Sequence, residues 1–172
     1  MNRRKFIVTS LVLGSVVFGG PYWKNRWKYI VIHHSAGSFG DLAFFKKVHR
    51  QRQAKDPIDA IPYHYIIGNG NGLAMGEVVS DWRQSYDIWG AHVSENNLDY
   101  NFRGLGICLV GNFENKEVPT TQYQSLLRLT KSLMSEYDIS HSNVIGHRMI
   151  RGESTKCPGK HFPMRTFKAD IA

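Results

Sequence analysis

Three residues have side chains that can bind a metal ion. Two are histidines at the ends of apolar segments, and the third is a cysteine in a short rigid loop. His33 lies in the run KYIVIHH, His147 follows VIG, and Cys157 lies within TKCPG. Two imidazoles and one thiolate form the kind of nitrogen and sulfur donor set that suits Zn²⁺. Three protein ligands leave a fourth position open for water, as in catalytic rather than structural zinc sites. The spacing alone leaves the site open, because any two histidines and a cysteine can be combined in this way.

The elements that must position these residues include five predicted β-strands. The run KYIVIHH is rich in β-branched and aromatic residues, and GLGICLV is almost entirely apolar, as in a central strand covered on both faces. The sequence NGNG at 69–72 predicts a hairpin turn. The predicted strands are 28–34, 63–67, 73–79, 104–110 and 144–146.

Three helices are predicted between and after the strands. Asp41 can cap a helix that runs to about residue 53. Thr121 and Gln124 fit a capping box at the start of a helix that ends near residue 137. A short closing helix is predicted within 162–171. The whole pattern indicates a mixed β-sheet with helices packed on it, of the α/β or α+β class.

Length and composition bound the class of protein. A chain of 172 residues corresponds to one domain at ~150 residues per domain. The hydrophobic fraction of 42% excludes a disordered chain, a collagen-like repeat and a multi-pass membrane protein, and two cysteines exclude a disulfide scaffold. The net charge of +8 suits an anionic partner such as lipid headgroups or bacterial wall polymer, or it serves solubility alone. Because no run of Lys and Arg is interleaved with aromatic residues, we predict no nucleic-acid partner.

The N-terminus has the pattern of a targeting segment. A basic stretch at 1–5 precedes the uncharged run FIVTSLVLGSVVFGG, as in a secretory signal. The pair Arg3-Arg4 also resembles a twin-arginine export signal. Residues 6–23 carry no charge and reach the lower length limit of a membrane span, so both cleavage and membrane anchorage remain open. We expect export to the periplasm or cell envelope, with 24–172 as the catalytic domain; a buried helix of a cytosolic protein is the alternative.

Beyond these features, the chain from about residue 28 to residue 167 resembles the zinc-dependent N-acetylmuramoyl-L-alanine amidases, in the branch shared by phage lysozyme-type amidases and peptidoglycan recognition proteins. The segments that carry the resemblance occur in the family's order. They are YIVIHHSAG (29–37), IPYHYIIGNGNG (61–72), WGAH (89–92), RGLGICLVGNF (103–113), IGHR (145–148) and KCPG (156–159).

The resemblance implies roles for single residues. The family's metal ligands correspond to His33, His147 and Cys157, which would bind Zn²⁺. The family tyrosine beside the water at the metal corresponds to Tyr63. Two residues before the cysteine, the family carries a Lys or Thr directed at the substrate carbonyl, and Thr155 stands there.

Lys156, one residue further along, is a second candidate for that role. The implied reaction is hydrolysis of the amide between the lactyl group of N-acetylmuramic acid and L-alanine in peptidoglycan. Zinc would polarise the carbonyl and activate water, and Thr155, helped by Lys156, would stabilise the oxyanion. Tyr63 would orient the water or relay its proton.

Six further residues are candidates for substrate binding, and some have a structural alternative. His34 would pack or support its neighbour, and His64 follows Tyr63 on a strand, points to the other face and so favours a structural role. His92 would contact substrate or cap its loop. The candidates are His34, His64, Trp89, His92, Asn112 and Arg148.

No general base is evident near the expected metal. Some intracellular relatives carry a carboxylate at the position of Cys108. This sequence has a cysteine there, as the phage-type branch does. Glu114 and Asp59 are the fallback bases. We expect Cys108 to pack in the core, and we reject a disulfide between Cys108 and Cys157 because it would consume a metal ligand.

The expected partner is peptidoglycan or soluble muropeptides, bound by a monomer. A non-catalytic peptidoglycan-binding module is the main alternative, although all three expected metal ligands are present. A regulator that binds another protein is a further alternative, and the export signal argues against a cytosolic partner.

Overall fold

The structure is a computed structural model, and it describes residues 26–56 and 58–172. The predicted signal or anchor at 1–23 lies outside the described residues. Five strands form the sheet: β1 (Tyr29–His34), β2 (Tyr65–Ile67), β3 (Val78–Ser80), β4 (Gly104–Leu109) and β5 (Val144–Gly146).

Within the described residues, five α-helices and three short 3₁₀ helices accompany the strands. The α-helices are α1 (Leu42–Arg52), α2 (Trp82–Ser85), α3 (Leu98–Arg103), α4 (Thr120–Tyr137) and α5 (Met164–Ile171). The 3₁₀ helices are Glu95–Asn97, His141–Asn143 and His147–Met149. None of the helices within 26–56 and 58–172 is long and apolar enough to cross a membrane.

The sheet is mixed, with strand order β3-β2-β4-β1-β5. Strands β2, β4, β1 and β5 are parallel, and β3 pairs antiparallel with β2 at the edge. Because carboxyl ends of parallel strands meet at one edge of a sheet, the residues that end β1 and follow β5 lie close together. This topology gathers the expected metal ligands, and it confirms the predicted mixed α+β class.

Side-chain alternation divides the core between the two faces of the sheet. Ile30 and Ile32 of β1 and Ile107 of β4 are fully buried and pack with residues of α4 and α5. The opposite face buries Cys108 of β4 against Phe45 of α1. His33 pairs in register with Cys108. The side chain of His33, an expected metal ligand, therefore lies on the α1 side of the sheet.

Most predicted elements are present, with differences at their ends. Asp41 caps α1 through a bond from the Phe44 amide, as predicted. The capping box at Thr121 is wrong, because α4 begins at Thr120 after Pro119 and has no side-chain cap. The fixed φ of proline, −57° here, suits the entry to a helix and starts it one residue earlier.

The predicted hairpin is present but shorter in its strands. Strand β2 begins two residues later than predicted, and β3 is confined to residues 78–80. Residues 68–77 form a loop with bonds of its own, including Gly70 N–H to the Leu73 carbonyl at 2.9 Å. The short helices α2 and α3 were not predicted, since neither carries an extended apolar period.

Candidate metal centre

The three expected metal ligands converge at the carboxyl edge of the sheet. His33 is the fifth residue of β1, His147 directly follows β5, and Cys157 comes from the loop after it. One ligand atom from each residue lies within 4.8 Å of the other two. His33 and Cys157 are buried and His147 is half-buried, so the donor set is shielded but open on one side.

The distances fit a zinc ion. His33 Nδ1 and Cys157 Sγ are 3.7 Å apart. Nitrogen and sulfur ligands of tetrahedral zinc lie at about 2.0 and 2.3 Å from the metal, and hence about 3.5 Å from each other. Two imidazoles and a thiol are also the borderline-soft donors that zinc prefers. The residues present therefore fit the metal that the sequence predicts.

His92 contacts the ring nitrogen of His33 that faces away from Cys157. His33 Nε2 lies 3.1 Å from His92 Nδ1, and His92 Nε2 lies 3.2 Å from the Gly104 carbonyl oxygen. Because the carbonyl only accepts, His92 donates from Nε2 and accepts at Nδ1, so His33 donates from Nε2. His33 Nδ1 then keeps its lone pair on the side of Cys157.

The position of His92 differs from that of a residue that contacts substrate. Its side chain is buried, and burial lowers the pKa of its imidazole to about 3. The ring packs against Gly90 and Gly106, where an added Cβ would collide with it. Asn101 Oδ1 accepts from the His92 amide at 2.9 Å and so holds its backbone. The structure therefore places His92 as the support of His33, with neither ring nitrogen free for a substrate.

Glu153 contacts His147, the second expected histidine ligand. Glu153 was not identified from the sequence as a residue of the site. Its Oε2 lies 3.1 Å from His147 Nε2. Burial alone would raise the pKa of Glu153, but hydrogen bonds from Ser94, Asn97 and His147 lower it overall. A carboxylate between two expected ligands in the segment HRMIRGESTKC was the available signal.

Backbone groups and charge surround the thiol of Cys157. The His34 amide donates to Cys157 Sγ at 3.2 Å. Burial raises the pKa of the thiol to about 12, while the His34 backbone and the charge of Arg148 act in the opposite direction. A thiol in this environment ionises when a cation binds it, since a coordinating metal ion deprotonates the thiol. Arg148 also donates its amide to the Cys157 carbonyl at 2.7 Å.

Tyr63 lies against His33, the first expected metal ligand. Its ring centroid is 5.2 Å from that of His33, and the side chain is half-buried. Burial raises the pKa of its hydroxyl well above the ordinary value, with the thiols of Cys108 and Cys157 adding to this shift. The phenol is therefore a neutral donor and acceptor at neutral pH.

Thr155 and Lys156 have different surroundings. The Thr155 hydroxyl accepts from the Cys157 amide at 3.1 Å, so its own hydrogen remains available to a further acceptor. The side chain of Lys156 is 81% exposed, and its Nζ lies 4.0 Å from Glu114 Oε1. The hydroxyl is thus fixed beside the ligand loop, whereas the ammonium points towards the surface.

Two of the remaining candidates for substrate binding, His64 and His34, are held by hydrogen bonds within the protein. His64 is fully buried, accepts from the Gly106 amide at 3.0 Å and lies 2.9 Å from the Ile88 carbonyl, so its ring has no free nitrogen. His34 Nδ1 accepts from the Phe113 amide at 3.1 Å. These bonds favour the structural alternatives for both histidines.

Asn112 closes a turn, since its Oδ1 accepts from the Glu114 amide at 3.1 Å. Arg148 is exposed beside the cluster. Trp89 is 41% exposed and lines a cavity of about 1260 Å³, which also includes Leu98 and Phe102. The three expected ligands do not line this cavity, so it is separate from the cluster.

The fallback bases lie in different places. Glu114 accepts from the Lys160 amide at 3.0 Å, and its charge contributes to the electrostatic environment of His34. Asp59 is 81% exposed and pairs with Arg50 at 3.0 Å, which places it in a surface ion pair. Both cysteines are free, as the rejection of a disulfide requires.

Solved structures share this fold. The chain is similar to the N-acetylmuramoyl-L-alanine amidase LysC from Clostridium intestinale, with a TM-score of 0.69, 27% identity and 87% of each chain covered. It also has the fold of Drosophila PGRP-LB, with a TM-score of 0.58 and 21% identity over 80% of this chain and 84% of that one.

Sequence comparison points to the same group. The peptidoglycan-recognition protein SC2 of Drosophila melanogaster is 25% identical over 141 residues, covering 78% of this chain and 70% of that protein. The family model of N-acetylmuramoyl-L-alanine amidases matches residues 23–160, which include His33, His147 and Cys157. The chain therefore belongs to the N-acetylmuramoyl-L-alanine amidase family.

Proposed function

We propose that the protein is a zinc-dependent amidase that hydrolyses the bond between N-acetylmuramic acid and L-alanine in peptidoglycan. The main support is that His33, His147 and Cys157 lie with one ligand atom each within 4.8 Å of one another at the carboxyl edge of the sheet. The chain also belongs to the amidase family. A bound zinc ion would polarise the amide carbonyl and lower the pKa of water. Three protein ligands leave room for that chemistry.

The surrounding side chains supply donors and acceptors for the reaction. As water adds to the carbonyl carbon, negative charge develops on the carbonyl oxygen. The hydroxyl of Thr155, held by the Cys157 amide at 3.1 Å, is the donor placed to stabilise that charge. Its contribution is expected to be about 3 kcal/mol, the value of one such donor in other hydrolases.

A proton must also travel from water to the leaving nitrogen. The products are the carboxylate of the lactyl group and the free amino terminus of L-alanine. Tyr63 lies against His33, and its neutral phenol can accept one proton while donating another. We therefore assign the orientation of water and the relay of its proton to Tyr63, and we leave Asp59 out because its carboxylate pairs with Arg50 on the surface.

The test is peptide release from purified peptidoglycan by the full chain. We expect new L-alanine amino termini that disappear after chelation and return with added Zn²⁺. The Cys157→Ala variant is the matched control and should release none. Release that persists unchanged after complete metal removal would refute the zinc dependence.

A second function is peptidoglycan binding without hydrolysis. It is favoured by the similarity to peptidoglycan-recognition protein SC2. The same experiment separates the two, since a binding module would sediment with peptidoglycan and release no amino termini. In that case the metal site would be structural.

We also propose that residues 1–23 direct export of the amidase domain, 24–172, to the cell envelope. The support is the basic stretch at 1–5 and the uncharged run that follows it. Replacing both Arg3 and Arg4 by Lys should block export if the twin-arginine pathway is used, and fractionation of cells would measure it. Unchanged export would leave the general secretory signal as the explanation.

A further inference from the structure

Glu153 occupies a position that the proposed reaction does not use. Its side chain is 7% exposed, and four interactions converge on it. Oε1 accepts from the Ser94 amide at 3.0 Å, from the Ser94 hydroxyl at 2.6 Å and from Asn97 Nδ2 at 2.8 Å. Oε2 remains for His147 Nε2, at 3.1 Å.

This division of the two oxygens has a chemical consequence. A carboxylate oxygen only accepts, so His147 donates its Nε2 proton to Glu153. The lone pair of the imidazole is then on Nδ1. A metal-bound histidine usually gives its other N–H to a carboxylate or carbonyl, which fixes the ring and makes the ligating nitrogen more basic.

We propose that Glu153 is the positioning residue of His147: it fixes the Nε2–H tautomer and the ring orientation that metal binding requires. The inference rests on the proposed function, since it assumes that His147 is a metal ligand. Ser94 and Asn97 stiffen the carboxylate from the other side, so the ring is held by a group that is itself anchored. Because Ser94 and Glu153 lie 59 residues apart, this support joins two distant segments.

The first test reads the tautomer in the metal-free wild-type protein. With ¹⁵N-labelled histidine, NMR correlations between ring nitrogens and carbon-bound protons should show the proton of His147 on Nε2. A proton on Nδ1 would overturn the proposal. This measurement needs no variant, so a folding defect cannot obscure it.

The second test measures zinc affinity by competition with a chelating dye, using the full chain. Glu153→Ala should weaken zinc binding about 10- to 100-fold. Glu117→Ala is the matched control: it removes an exposed glutamate in another loop, and its zinc affinity should equal that of wild type. Circular dichroism of the metal-free variants checks that both fold, and Glu153→Gln, which keeps the side-chain volume, replaces Glu153→Ala if that variant does not.

Each outcome decides the proposal. Equal losses of zinc affinity in Glu153→Ala and Glu117→Ala would show a general effect of removing a carboxylate and would overturn the proposal. Unchanged affinity in Glu153→Ala would also overturn it. Wild-type protein that binds zinc but releases no L-alanine amino termini would refute the amidase proposal and leave this one standing. If wild type binds no zinc, the proposed function fails, and the tautomer still tests the pairing of Glu153 with His147.

Discussion

The thiol of Cys157 accepts a hydrogen bond from the backbone amide of His34, at 3.2 Å and across 123 residues. The amide belongs to the last residue of β1, immediately after His33. One contact therefore joins the loop of Cys157 to the strand of His33. If both residues bind the proposed metal, they lose less conformational freedom on binding because they are already held together.

Replacing this thiol should separate metal binding from folding. In Cys157→Ser the hydroxyl can still accept from the His34 amide, but it is a poor zinc ligand. We expect a loss of zinc affinity larger than the roughly 10- to 100-fold effect of removing a supporting residue. Metal content after dialysis measures it. Cys108→Ala, a buried cysteine outside the cluster, is the control and should keep one zinc per chain.

The packing of His92 against glycine predicts a second effect. A Cβ on Gly106 would lie 2.5 Å from His92 Cδ2, so Gly106→Ala must displace the ring that holds His33. We expect a loss of about 1–3 kcal/mol in unfolding free energy together with weaker zinc binding. Chemical denaturation and dye competition measure the two effects. Gly37→Ala is the control, since its added Cβ would meet nothing closer than 3.9 Å; equal behaviour of both variants would contradict the prediction.

Tyr63→Phe removes only the hydroxyl that we assign to proton relay. We expect kcat to fall about 10²- to 10⁴-fold, with KM and zinc content unchanged. Steady-state kinetics on a soluble muropeptide measures this split. Tyr100→Phe is the matched control, because Tyr100 packs on Tyr29, with ring centroids 4.6 Å apart, in a different apolar cluster. A variant with full kcat would leave Tyr63 as a packing residue.

His64 predicts how stability depends on pH in the metal-free protein. Burial lowers the pKa of its imidazole well below the ordinary value. The unfolded chain binds a proton near pH 6.5 and the native state does not, so the stabilisation is present above pH 6.5 and is lost as the pH falls below it. Through this one group, the unfolding free energy falls by about 1.4 kcal/mol for each pH unit below 6.5 over which the native imidazole stays neutral.

The measurement is urea denaturation of the metal-free protein at several pH values between 7.5 and 4.5. His64→Gln cannot take up a proton, so the dependence of its unfolding free energy on pH should be shallower by the amount given. Gln51→Ala, at an exposed position that carries no titrating group, is the control and should retain the slope of wild type. An unchanged slope in His64→Gln would show that other groups govern the acid response.

Much of the fold follows from local patterns. The apolar run of β4 and the helical period of α4 each correspond to an observed element. A strand covered on both faces is apolar throughout, and a helix packed on one side repeats its apolar residues with the helical period. The start of α4 was misplaced because the turn chemistry of Pro119 outweighs the capping pattern of Thr121. The shortness of β3 depends on bonds within the loop at 68–77, which no periodicity records.

Local patterns indicate which residues could bind zinc and which segments form the sheet, because donor type and hydrophobic period are properties of short segments. The groups that contact the expected ligands are evident only from the folded chain. His92 contacts His33, and Glu153 contacts His147, only because the strand order β4-β1-β5 and the segment of Ser94 and the 3₁₀ helix Glu95–Asn97 bring them together. Such contacts join segments that are far apart along the chain, 59 residues both for His33 with His92 and for Ser94 with Glu153, so no local pattern of residues indicates them.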